Sequence, residues 1–264
     1  MSDFKFKKKY GQNFLQNKNI INRIAMVGNV SDDSLIIEVG PGSGNLTVAL
    51  AELYKKSNIL AYEVDSSLED ILTNRLRDYN NVKILFADFL KADVVNDIKN
   101  YTYDSLYFIS NVPYYITTPI LFKLINSDLF FEKIVMMVQK EVGDRFCSKV
   151  GSKSYGALTV ILNYYFEIKK EFIVDRNQFY PKPNVDSVVV SFSNKRNKEK
   201  LNNRAFFFKL VHDSFQFRRK TLRNNLKNYD LEKIQMILSK YDYDLNVRAE
   251  KLDYKIFIEI ANSL

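Results

Sequence analysis

Among the 264 residues there is one cysteine and one histidine, and no apolar run approaches the length of a membrane span. Cys147 alone cannot close an internal disulfide or build a thiolate cluster, which accords with a reducing compartment and makes the cytosol the default location. His212 lies on the apolar-rich segment Phe206 to Phe217 and reads as a helix-surface or packing residue, not a general base. Histidine-ligated zinc and a histidine triad are both disfavoured on that count, and no metal is expected. A membrane-spanning helix needs about 20 consecutive apolar residues, so no membrane partner is expected either. Met1 to Tyr10 is lysine-rich without the apolar centre of a secretory signal and reads as a basic arm.

What is present describes an ordinary globular chain, with 46% hydrophobic and 27% charged residues. The length allows one full α/β domain plus a small appendage, on a prior of about one domain per 150 residues. The net charge of +8 is unevenly placed. Lys195 to Lys227 holds eleven basic residues against Glu199 and Asp213, a local balance of +9 that exceeds the whole-chain value. Lys5, Lys7, Lys8 and Lys9 form a second cluster. Such blocks suit a protein that neutralises phosphates, although a solvated helix face also explains many lysine runs. Within the first block, helical spacing would put Arg219 and Arg223 on one face while Phe215 and Leu222 point to a core.

Along the first 110 residues, strand-length apolar runs alternate with helical segments. The runs are Leu35 to Val39, Ile59 to Tyr62, Val82 to Phe86 and Leu106 to Ile109, and Leu46 to Lys55 and Ser67 to Tyr79 can form crossover helices. Each run ends beside a polar or glycine position: Gly40 in Glu38-Val39-Gly40-Pro41-Gly42-Ser43-Gly44, then Glu63, Asp88 and Asn111, separated by 23, 25 and 23 residues. A parallel sheet would deliver all four to its carboxyl edge, where open α/β sheets bind ligands.

The chemistry of those positions narrows the ligand. A Gly-x-Gly-x-Gly turn allows close backbone approach, and an acidic residue at the end of the second strand suits a ribose diol. The dinucleotide fingerprint Gly-x-Gly-x-x-Gly is absent, which favours a nucleoside-type cofactor without a pyrophosphate. Asp88, by its carboxylate or its neighbouring backbone, could accept from an adenine amine. S-adenosylmethionine meets these requirements together.

Asn111-Val112-Pro113-Tyr114 supplies the complementary chemistry. The 6-amino group of adenine is a poor nucleophile because its lone pair is delocalised into the ring, so methylating it requires two acceptors for its N–H groups. The Asn111 side-chain oxygen can be one and the Val112 carbonyl the other, since a residue before proline is held extended. Tyr114 offers a face on which an unstacked base can lie. Taken alone, the tetrapeptide could equally be a turn at a strand end.

Six segments together carry a family resemblance over nearly the whole chain: Gly11-Gln12-Asn13-Phe14-Leu15, Glu38-Val39-Gly40-Pro41-Gly42, Asn111-Val112-Pro113-Tyr114, Phe179 to Ser187, Arg218-Arg219-Lys220-Thr221-Leu222-Arg223-Asn224 and Arg248-Ala249-Glu250-Lys251-Leu252. In these the chain resembles the ribosomal RNA adenine dimethyltransferases of the KsgA family. The resemblance implies dimethylation, from S-adenosylmethionine, of two adjacent adenosines near the 3′ end of 16S rRNA in the immature small ribosomal subunit; separately from it, a cytoplasmic monomer is the expected form. The resemblance also implies that Asn13, Leu15, Gly40, Glu63, Asp88 and Asn111 line the cofactor site. Asn111, Val112, Pro113 and Tyr114 would hold the target amine, with Phe179 a second stacking partner, while Arg218, Arg219, Lys220 and Arg223 would contact RNA. Val112 and Ser43 stand where the family often has leucine, with little expected consequence for a backbone acceptor and a turn residue.

The expected architecture is a Rossmann-like, class I methyltransferase sheet over residues 1–194, with Val160 to Val174 and Val185 to Phe192 as late antiparallel strands. After a polar linker from Ser193 to Arg204, residues 195–264 are expected to form a small basic helical domain. Other readings share parts of this pattern: a large-subunit (23S) rRNA methyltransferase of the Erm type, a DNA adenine methyltransferase, an RNA-binding assembly factor, or a transcription factor on the same fold. The intact Asn111 to Tyr114 box argues against the last two, and the arginine-rich run and the late Arg-Ala-Glu stretch favour the small-subunit enzyme.

Overall fold

The structure, a computed structural model, describes residues 14–264. Asn13 and the lysine cluster at residues 5–9 lie outside the described residues. In chain order the elements are β1 (Phe14–Leu15), α1 (Lys18–Gly28), β2 (Ser34–Val39), α2 (Asn45–Leu53), β3 (Asn58–Glu63), α3 (Glu69–Leu76), β4 (Val82–Phe86), α4 (Val94–Ile98), β5 (Ser105–Asn111) and α5 (Thr117–Asn126). They continue with β6 (Phe131–Gln139), α6 (Lys140–Phe146), α7 (Ala157–Tyr165), β7 (Phe166–Val174), β8 (Phe179–Tyr180), β9 (Ser187–Asn194), α8 (Arg204–Ser214), α9 (Leu222–Asn225), α10 (Leu231–Ser239) and α11 (Tyr254–Ser263).

Two compact units emerge. The first comprises residues up to Gly143 with Lys169–Asn194, and the second Asp144–Ile168 with Lys195–Leu264. A seven-stranded sheet runs in the order β4-β3-β2-β5-β6-β9-β7. β2 pairs in parallel with β3 on one side and β5 on the other, and β9 is antiparallel to β6. Chain order therefore reverses direction between β2 and β5, which opens a crevice at their carboxyl ends. All six residues of β2 are buried, as expected of a central parallel strand covered on both faces. Ile24 and Ala25 of α1 and Ala49 and Leu50 of α2 share one core cluster with Ile36, Ile59 and Ile109 of the sheet. Leu72 and Leu76 of α3 close a second cluster against the partly buried Val82, Ile84 and Phe86 of β4.

In the second unit, Tyr164 on α7 lies 5.6 Å from Phe207 on α8, and Phe215 lies 5.9 Å from Phe257 on α11. Leu222, Ile234 and Leu238 are also buried. Two expectations are corrected here. Val160 to Tyr165 is helical, and the strand begins only at Phe166. The segment is rich in β-branched and aromatic residues, but Leu158 to Leu162 and Tyr164 are all buried, so the helix shows no polar stripe by which sequence could reveal it. As a consequence, Asp144–Ile168 groups with Lys195–Leu264, whereas the expected division into 1–194 and 195–264 had placed it in the first domain.

Candidate active site

The four strand ends converge as their spacing requires. One cavity of about 320 Å³ is lined by Glu38 to Ser43 at the end of β2, Tyr62 to Val64 at the end of β3, Ala87 to Leu90 after β4 and Asn111 to Ile116 at the end of β5. Leu15, Gly40, Glu63, Asp88, Asn111, Val112, Pro113 and Tyr114 all belong to this lining. The volume lies at the lower end of the ~300–1,000 Å³ usual for small-molecule sites.

The turn after β2 is built by glycine. Gly42 has φ +58°, and a Cβ there would come within 2.6 Å of the Phe14 ring. Gly40, with φ +71°, donates to the Tyr62 carbonyl at 2.8 Å, locking the turn to the neighbouring strand end. Glu63 is 4% exposed, and both carboxylate oxygens accept backbone N–H groups, from Gly42 at 3.1 Å and from Asp65 at 2.9 Å. Burial still holds its carboxyl above the ordinary range. Asp88 Oδ1 accepts the Leu90 N–H at 3.0 Å and so shapes the loop that faces the cavity. From the β1 side, Asn45 Nδ2 donates to the Leu15 carbonyl at 2.9 Å.

The box after β5 is positioned by its own geometry. Asn111 ends the strand, and Ser110 Oγ beside it donates to the Val39 carbonyl at 2.6 Å, tying β5 to β2. Val112 is buried, Pro113 has φ −54° and ψ 130°, and Tyr114 opens the short helical turn that leads into α5. The Tyr114 hydroxyl shares a 2.6 Å hydrogen bond with Ser187 Oγ, so the phenol is anchored and its ring remains on the cavity wall. Among the described residues, the Asn111 carboxamide forms no hydrogen bond within the chain.

Phe179 stands apart from this group. It is 5% exposed, does not line the cavity, and belongs to the core cluster that also holds Leu15, with which it pairs across β1 and β8. In this arrangement it backs a cavity residue and offers no open face. Arg218, Arg219 and Lys220 lie in the turn after α8 and Arg223 in α9, so the single basic helix expected over Arg218 to Arg223 is interrupted. The Arg218 guanidinium is already engaged, donating to the carbonyls of Lys153 and Tyr155. Sequence reasoning passed over Glu38 as a site residue although it stands in the glycine motif. Its Oε2 is buried in the cavity wall without a hydrogen-bond partner, and burial, with the nearby Glu63 adding, pushes its carboxyl up to about 8.

Comparison with known proteins decides what the cavity belongs to. The family model described as ribosomal RNA adenine dimethylase matches residues 3–264. The chain belongs to the ribosomal RNA adenine dimethylase family. Among curated proteins, it is 42% identical to the ribosomal RNA small subunit methyltransferase A of Bacillus cereus strain B4264, over 99% of this chain and 92% of that one. It is 38% identical to the protein of the same name from Lactococcus lactis, over 99% and 91%. A dimethyladenosine transferase from Plasmodium falciparum superposes with a TM-score of 0.77 at 25% identity, covering 94% of this chain and 95% of that one. The 23S rRNA methyltransferase ErmE shares the fold with a TM-score of 0.74 at 24% identity, covering 96% and 99%.

As a ribosomal RNA adenine dimethylase, the chain is an S-adenosylmethionine-dependent methyltransferase with a class I sheet. The cavity residues fit that cofactor. An unpartnered, buried Glu38 oxygen suits an amino-acid ammonium, the Glu63 carboxylate at the second strand end suits a ribose diol, and the Asp88 loop suits an adenine. When bound, the cofactor supplies an electrophilic methyl on a sulfonium.

Proposed function

We propose that the chain dimethylates the 6-amino groups of two adjacent adenosines near the 3′ end of 16S rRNA within the immature small ribosomal subunit, as a cytosolic monomer. The observation that carries this reading is that Asn111, Val112 and Tyr114 line the same cavity as Glu63 and Asp88, so acceptors for an amine and groups suited to the methyl donor face one space. Near-full-length identity to proteins named for the small subunit supports that target over the large subunit.

In this mechanism the Asn111 carboxamide oxygen and the Val112 carbonyl accept the two N–H groups of the adenine amine. That draws the hydrogens out of the ring plane and returns the lone pair to nitrogen. The Tyr114 face holds the flipped base, and burial of Val112 fixes the backbone acceptor. A donor held by Glu63 and the Asp88 loop would supply its methyl group to that freed lone pair, the N–C bond forming as the C–S bond gives way with its electrons on sulfur. The methylated nitrogen then loses one proton to a carbonyl or to water, so no histidine is required. Glu63 and the Asp88 loop orient the donor throughout. Arg219, Lys220 and Arg223 contribute phosphate contacts.

The test is a labelled-methyl filter assay on purified, unmethylated small and large subunits. Label on small subunits, recovered as two adjacent dimethyladenosines, is expected; label confined to large subunits overturns the reading. In the same assay Asn111→Ala is expected to abolish transfer while S-adenosylmethionine still binds by calorimetry, and normal dimethylation by that variant would refute the acceptor role. Glu63→Ala should do the reverse, losing donor affinity first.

A further inference from the structure

Gln216, Phe217, Arg218, Arg219 and Lys220 are five consecutive exposed residues in the turn between α8 and α9. Phe217 is 57% exposed and, among the described residues, makes no contact with another ring or with a cation. A single exposed phenylalanine is ordinary on a protein surface. This one is set apart by how it is held. The Asn225 carboxamide clamps its backbone from both sides, accepting the Phe217 N–H and donating to the Phe217 carbonyl, each at 3.3 Å, while also donating to the Ser214 carbonyl at 2.7 Å. The Lys220 N–H donates to the same Phe217 carbonyl at 2.8 Å. Arg218, through Lys153 and Tyr155, fastens the turn to the loop before α7. Arg219, Lys220 and Arg223 have no side-chain partner among the described residues.

The result is a braced turn that presents one aromatic face among three unspent cations. Cations alone would suit any phosphate backbone. An aromatic set among them suits the face of an unpaired base whose flanking phosphates the cations hold. A protein partner fits less well, because the centres of protein interfaces are depleted of lysine and one ring buries little apolar area. We propose that Phe217 is a stacking platform for an unpaired base of the ribosomal RNA, with Arg219, Lys220 and Arg223 on the adjoining phosphates and Arg218 as the residue that positions the turn. This rests on the reading of small-subunit rRNA as substrate.

The chain contains no tryptophan, so Phe217→Trp introduces a single fluorescent reporter. Titrated with protein-free 16S rRNA, its emission is expected to be quenched with the same midpoint as retention of the complex on a filter. Phe217→Ala is expected to weaken retention at least about fivefold, the lower end of what base stacking contributes, and to leave the slope of log affinity against log salt unchanged. Arg219→Ala should lower that slope by about 1. Phe217→Tyr should bind as wild type and Phe217→Leu should not. S-adenosylmethionine affinity, measured for every variant, separates misfolding from a lost contact. The proposal is overturned if leucine serves as well as phenylalanine, or if the tryptophan emission stays unchanged while the complex is retained on the filter. Wild-type protein that binds and methylates small-subunit rRNA while Phe217→Ala binds equally would sink this inference alone. Wild-type protein that neither binds nor methylates it would sink the reading beneath.

Discussion

Tyr114 carries two demands that different parts of one side chain meet. Its ring lines the cavity while its hydroxyl is committed to Ser187, a buried residue at the start of β9. Burial holds the phenol above its ordinary pKa range, so it is neutral under working conditions. The hydroxyl therefore sets the ring's position and has no charge to offer the reaction. Tyr114→Phe and Ser187→Ala are each expected to lower kcat several-fold with little change in KM for the RNA, and the double variant should be no worse than the poorer single. Additive losses in a double-mutant cycle would show that the two residues act separately. Tyr114→Ala, which removes the ring, should cost far more. The sequence made the Tyr114 ring legible because the Asn-x-Pro-Tyr box states its chemistry locally. Ser187 was not legible as its partner, since a hydrogen bond between residues 73 apart exists only once β5 and β9 are both in the sheet. Phe179 misled for the same reason: an aromatic in a motif looks like a stacking residue until β8 pairs with β1 and turns it into the core.

At the scale of elements, the glycine turn after β2 is where local sequence and site coincide. Its period-breaking glycines, placed directly after a fully buried strand, announced the turn, and the fold puts that turn on the cavity wall. The first four strands of the large sheet were legible because each is a short, mostly apolar run followed closely by a polar or glycine position. Two later elements were not. α7 is buried on nearly every side, so the helical period leaves no trace in its pattern. The basic run is broken because the Asn225 amide bonds back to the backbone of Ser214 and Phe217, offering those groups an alternative to a continuing helix. For the glycine turn the prediction is specific. Gly42→Ala forces an L side chain into the left-handed region at φ +58° and drives its methyl into Phe14. The backbone penalty is about 1–2 kcal/mol. The variant should remain folded by circular dichroism but bind S-adenosylmethionine at least tenfold more weakly by calorimetry, because the Gly42 N–H that steadies Glu63 must shift. Unchanged affinity would mean the turn does not shape the donor site.

The dependence of stability on pH belongs to the whole molecule, since it compares the folded chain with the unfolded one. Glu38, with its carboxyl pushed up from 4.5 to about 8 in the fold, keeps a proton at neutral pH that the unfolded chain releases. Folding thus takes up a proton between these values, and stability falls as pH rises through the interval from about 5 to 8. Glu63, shifted in the same direction, adds to the fall. The carboxyls shifted downward, Asp213 to about 2 together with Glu171, Glu199 and Glu259, contribute stability that is present above the unfolded value and lost as pH drops, so they act below about pH 5. The two groups of carboxyls therefore act on opposite sides of that point, and the interval above it reports on the cavity. Urea midpoints of the unliganded protein are expected to decrease from pH 5 to pH 8, and Glu38→Gln, which cannot ionise, should flatten most of that decrease. Parallel curves for the two proteins would show that Glu38 is already ionised at neutral pH, and the cavity wall would then need a cationic partner for it within the chain itself.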